Sequence, residues 1–211
     1  MKDKKDFGKL VKEAGILFGI TLLSGLLLGF VYELTKEPIA YQQALKQDRA
    51  CREVFADASA FEELFLPEQT AGLTEADAYA KELGVSLYKI FGAYAENGAL
   101  LGYVLDVASS EGYGGTIEMM VGIDNSGVLN GISLLSISET PGLGMRAGEV
   151  LVPQFENRQA AVFVYTKTGA AANNEIDAIS GATITTDAVV DAVNAGLYYF
   201  NTVLKEGGNG Q

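Results

Sequence analysis

Hydrophobic and polar positions change their spacing twice along this chain. From Ala14 to Tyr32 no charged residue occurs, and Gly15, Gly19, Gly25 and Gly29 are spread among leucines. A helix over this run is about 28 Å long, close to the hydrocarbon thickness of a bilayer. Both glycine pairs fit the small-xxx-small spacing of packed membrane helices. The run exceeds the apolar core of a signal peptide, no A-x-A site follows it, and no Cys follows it as in a lipoprotein, so a membrane anchor is expected. Over residues 36–66 the apolar positions Cys51, Val54, Phe55, Ala58, Phe61 and Phe65 recur at steps of three and four. This spacing predicts a helix with Pro38 near its start and Pro67 at its end. Cys51 lies on the apolar face and reads as a core thiol. A second short helix is expected from Thr74, as N-cap, to Leu83, stopped by Gly84.

From Val85 the period falls to two. Segments 85–95, 100–108, 116–123 and 128–137 read as strands, with turns at Glu96-Asn97-Gly98 and Asp124-Asn125-Ser126-Gly127. Connections this short imply antiparallel pairing. Glu111-Gly112-Tyr113-Gly114-Gly115 forms a glycine-rich loop between two of them, and Thr140-Pro141-Gly142 reads as a type II turn. Segment 153–160 reads as a helical turn and 161–166 as a strand. Val189, Val193, Leu197, Phe200 and Leu204 then make the core stripe of a helix starting near Thr185 or Thr186, which are expected to cap it. Asp187 is expected in its first turn. The fold class is thus α+β: one N-terminal transmembrane helix, then an antiparallel sheet with packed helices.

Composition narrows the chemistry. There is no His, no Trp and a single Cys, which removes His-based catalysis, an intrachain disulfide and cysteine-ligated clusters. The net charge is −12, which argues against nucleic acid as a partner. Residues 1–13 carry five lysines against three acids, a net +2, so the remainder carries −14. By the positive-inside rule the N-terminus is cytoplasmic and the acidic body lies on the outer face. Three segments remain as candidate sites: the loop at Tyr113–Gly115, the turn at Glu139–Gly144, and the run from Asp177 to Thr186. Each has an ordinary reading as a turn or a helix start. The third also places hydroxyls where helix N–H groups are unpaired, a ready phosphate site.

The run Asp177-Ala178-Ile179-Ser180-Gly181-Ala182-Thr183 resembles the flavinylation motif D-x-x-(S/T)-G-A-(T/S) of FMN-binding domains. Such domains occur in the G subunit of the Rnf electron transport complex and the C subunit of Na⁺-translocating NADH:quinone reductase. Tyr113-Gly114-Gly115-Thr116-Ile117, Met120-Val121-Gly122-Ile123-Asp124 and Glu139-Thr140-Pro141-Gly142-Leu143-Gly144 also resemble the Rnf G subunit. Where that family often has a His two residues before the Glu, this chain has Ile137.

The resemblance implies FMN taken from FAD by a flavin transferase and joined by its phosphate to Thr183. Ser180, Gly181, Ala182 and Asp177 would frame that residue for recognition. Glu139, Thr140, Pro141, Gly142 and Leu143 would border the isoalloxazine, and Thr185 would lie beside the phosphate. Expected partners are the other subunits of the Rnf complex, the transferase during maturation, and the lipid bilayer of the cell (inner) membrane, crossed once. The implied organisation is a cytoplasmic start at 1–13, an anchor at 14–34, a helical connector at 36–84, the FMN-binding domain at 85–204 and a flexible tail at 205–211. The function implied is electron carriage within an ion-translocating ferredoxin:NAD⁺ oxidoreductase. The related C subunit and a cofactor-free extracytoplasmic binding domain are the alternatives.

Overall fold

The computed structural model describes residues 2–65 and 75–205. Helix α1 runs from Lys2 to Val54, with Pro38 inside it. The chain divides into two units, Met1–Leu45 and Lys46–Gln211. The first is helix alone. It contains the single helix, among the described residues, that is long and apolar enough to cross a membrane. Its apolar side chains, Leu17, Leu26 and Phe30 among them, are exposed in the isolated chain.

The second unit is built on a five-stranded antiparallel sheet in sequence order, β1 (Ala60–Phe65), β2 (Val85–Tyr94), β3 (Leu100–Ser109), β4 (Ile117–Asp124) and β5 (Leu129–Ser136). The two-residue period puts alternate side chains on opposite faces. Ile90, Leu105, Val107, Met119, Val121 and Ile123 lie on one face, in the larger core. Phe91, Ala93, Val104, Met120 and Leu135 lie on the other, against Ala50, Cys51 and Val54 at the end of α1 and Phe55 and Ala58 just after it. Cys51 is a buried free thiol, as its spacing predicted, and burial pushes its pKa up to about 12.

The larger core is closed by α4 (Thr183–Tyr199), which continues as a π-helical turn over Phe200–Leu204. Its expected stripe of Val189, Val193, Leu197, Phe200 and Leu204 is buried. At about 1.5–3 kcal/mol for each large apolar side chain, this stripe holds α4 to the sheet more strongly than its intrinsic helix propensity does. Helix α2 (Glu75–Glu82) packs on β2 and α4. Short elements carry the chain from β5 back to α4: a 3₁₀ turn at Gly144–Arg146, α3 (Ala147–Val150), a second 3₁₀ turn at Val152–Phe155, and the parallel pair β6 (Val164–Thr166) and β7 (Glu175–Asp177).

Two local expectations are corrected. The helix foreseen over 36–66 ends at Val54, and Ala60–Phe65 is a strand paired with β2. Phe61 and Phe65 sit four apart, which fits a helix face, but backbone pairing to the open edge of β2 wins over that local signal. The expected stop at Pro67 and cap at Thr74 lie outside the described residues. The second correction concerns the start of α4. It begins at Thr183, Asp187 lies beyond its first turn, and neither Thr185 nor Thr186 caps it. Both hydroxyls are buried and bonded elsewhere: Thr185 donates to the Glu139 carboxylate, and Thr186 donates to the Ala182 carbonyl.

Candidate functional site

Two tight turns face each other at the start of α4. In the first, the Leu143 N–H donates to the Thr140 carbonyl at 3.1 Å, with Pro141 and Gly142 between them. In the second, the Ala182 N–H donates to the Ile179 carbonyl at 3.0 Å, across Ser180 and Gly181. Gly142 and Gly181 occupy the third position of their turns with φ of 78° and 79°, the geometry a type II turn reserves for glycine. The turns nearly touch. A Cβ on Gly181 would stand 3.1 Å from Leu143 Cδ2.

Each turn is held from behind. The Gln154 side chain accepts from the Asp177 N–H at 2.7 Å and donates to the Asp177 carbonyl at 3.1 Å, fixing β7 where it enters the second turn. The Asp177 carboxylate is exposed and accepts from the Ala170 N–H at 2.6 Å. The first turn is anchored by Glu139, which is 6% exposed. Its Oε1 accepts from the Gly114 N–H at 3.1 Å, and its Oε2 accepts from the Thr185 hydroxyl at 3.0 Å. Gly144 fits tightly beneath it, since a Cβ there would fall 2.5 Å from Thr185 Oγ1.

Between the turns opens a cleft of about 510 Å³, lined by Tyr113, Glu139, Thr140, Leu143, Gly144 and residues 181–185. The three segments singled out in the sequence therefore converge on one space. Of the residues named there, Glu139, Thr140, Leu143, Gly181, Ala182, Thr183 and Thr185 line it, while Asp177, Ser180, Pro141 and Gly142 shape the turns around it. Ile184 and Gly144 line it too. Ile184 is an exposed apolar residue in the first turn of an otherwise core-packed helix, and that mismatch was its available signal.

The polar groups of the cleft are distinctive. The backbone N–H groups of Thr183, Ile184 and Thr185 have no acceptor among the described residues, and no side chain caps α4. The half-buried Thr183 hydroxyl likewise has no hydrogen-bond partner among them. A helix N-terminus with free donors favours an anion at this point.

Comparison with known proteins agrees with this geometry. Residues 112–198 match the FMN-binding domain family, and residues 1–54 match the RnfG N-terminal region. The G subunit of the Na⁺-translocating ferredoxin:NAD⁺ oxidoreductase complex of Acetobacterium woodii is 30% identical over 204 residues, covering 93% of this chain and 95% of the relative. The G subunit of the proton-translocating ferredoxin:NAD⁺ oxidoreductase complex of Clostridium ljungdahlii is 30% identical over 190 residues, with 86% and 90% covered. The crystal structure of Shewanella oneidensis NqrC shares the fold, with a TM-score of 0.50 at 18% identity, over 74% of this chain and 86% of that one. Matched over nearly its whole length by such relatives, the chain belongs to the RnfG family, the G subunits of ion-translocating oxidoreductase complexes.

Proposed function

We propose that this chain is the electron-carrying G subunit of an ion-translocating ferredoxin:NAD⁺ oxidoreductase, with FMN joined to Thr183 by a phosphoester. The observation that carries this reading is the coincidence, in one cleft, of the Thr183 hydroxyl with three N–H groups at the start of α4, all without a partner among the described residues. The residues present fit the group. The cleft falls in the size range of small-molecule sites, about 300–1,000 Å³. Leu143, Ile184 and the Tyr113 ring offer apolar surface to a flat ring system, while Glu139 and Thr140 offer polar edges.

FMN supplies the electron transfer that a chain without His, and with one buried thiol, lacks. The protein's part is to hold it. The N–H groups of residues 183–185 and the helix dipole stabilise the phosphate charge. Gly181, without a side chain, leaves Thr183 accessible to a flavin transferase, with Ser180 and Asp177 beside it for recognition. The covalent bond keeps the cofactor attached on the outer face. The helix over 14–32 crosses the cell membrane once, with the lysine-rich N-terminus in the cytoplasm. The other complex subunits are the electron partners.

The test is expression of the full chain with a flavin transferase, followed by a denaturing gel. The chain is expected to carry flavin fluorescence. A colourless chain under these conditions would favour the cofactor-free alternative.

A further inference from the structure

We propose that Glu139 is the positioning residue of this site, and that its carboxylate charge holds the reduction potential of the bound flavin low. The inference rests on the FMN reading above and concerns how this chain sets the flavin's geometry and energy. Glu139 joins the three segments that build the cleft. It belongs to the turn at 139–144, accepts from the N–H of Gly114 in the glycine-rich loop, and accepts from the hydroxyl of Thr185 in the first turn of α4. Thr185 lies two residues from the attachment point, so this bond fixes the α4 start against the turn that borders the ring. The fit is close: a Cβ on Gly144 would also stand 2.8 Å from Glu139 Oε2.

The charge has a separate consequence. Glu139 is buried, lines the cleft, and forms no ion pair among the described residues. Two neutral hydrogen bonds are its only partners there. Reduction brings negative charge onto a flavin. A buried unpaired carboxylate beside it opposes that charge in a low-dielectric setting.

Two substitutions separate the effects, in the full chain co-expressed with a flavin transferase. Glu139→Gln keeps the shape and both contacts, since its amide oxygen accepts from Gly114 and its NH₂ donates to Thr185. In the flavin-loaded chain it is expected to raise the midpoint potential. A tenfold gain in the two-electron reduction equilibrium reads as about 30 mV. Thr185→Val removes the bond to α4 and is expected to alter the flavin circular dichroism and lower attachment, while Thr185→Ser restores both. An unchanged potential in Glu139→Gln overturns the charge role. Wild-type dichroism and attachment in Thr185→Val overturn the positioning role. If the wild-type chain itself takes no flavin, the FMN reading fails and this inference falls with it. A flavin-loaded wild type with unaffected variants removes this inference alone.

Discussion

Asp106 is a carboxylic acid in a place that charge should avoid. It sits on β3, on the face covered by the end of α1, and is 2% exposed. Its Oδ2 accepts from the Gln47 side chain at 3.1 Å, while Oδ1 has no partner among the described residues. Burial is the main cause that pushes its pKa up to about 6, with Glu118 adding to the rise and Gln47 and Lys89 opposing it. In the unfolded chain an Asp titrates near 3.9. The folded state therefore prefers the protonated form. The stability tied to that proton is complete below about pH 4 and is lost as pH rises through about 6. Integrated between the two values, ionisation costs the fold about 3 kcal/mol at pH 8 and about 1.5 kcal/mol at pH 5. Asp106→Asn, close in shape to the protonated acid, removes this cost. In thermal unfolding of the detergent-solubilised full chain, the variant should melt higher than wild type by roughly 6–12 °C at pH 8, and by about half that at pH 5. A gap that stays constant between these pH values would show that Asp106 does not titrate with folding and would refute the reasoning.

Other outcomes follow from single contacts. Gly144→Ala places a methyl 2.5 Å from Thr185 Oγ1 and 2.7 Å from Glu139 Cβ, so flavin attachment on a denaturing gel should fall while far-ultraviolet dichroism keeps its native form. Asn194, buried on α4, accepts from the Phe163 N–H at 2.8 Å and donates to the Phe163 carbonyl at 2.9 Å. Asn194→Leu should lower the melting temperature, at about 1–3 kcal/mol for each backbone group left unpaired. Cys51, its thiol pushed up to about 12 by burial, should resist alkylation at pH 8 in the folded chain and react after denaturation, as measured by mass.

The strands β2–β5 were legible because a two-residue period and short Asn-Gly or Ser-Gly turns are local signals, and α4 because its stripe persists over about four turns. Strand β1 was not. Its pairing partner in β2 is about thirty residues away, and its two phenylalanines happen to fit a helix face. The site was legible in part for the same reason. Its turns announce themselves through Pro141-Gly142 and Ser180-Gly181. The start of α4 did not, because the Thr185 hydroxyl is claimed by Glu139, 46 residues earlier in the chain. A hydroxyl next to a helix start looks like a cap until the fold supplies a better acceptor. Asp106 likewise follows the strand alternation, and only the packing of α1 reveals what that position costs.

The proposed function turns on Thr183 carrying FMN through its phosphate. It is tested most directly by the mass of the intact chain, purified after co-expression with a flavin transferase, with the modified peptide sequenced. One covalently bound FMN is expected on Thr183, and none on Thr183→Val. An unmodified wild-type chain, or flavin retained by Thr183→Val, would contradict it.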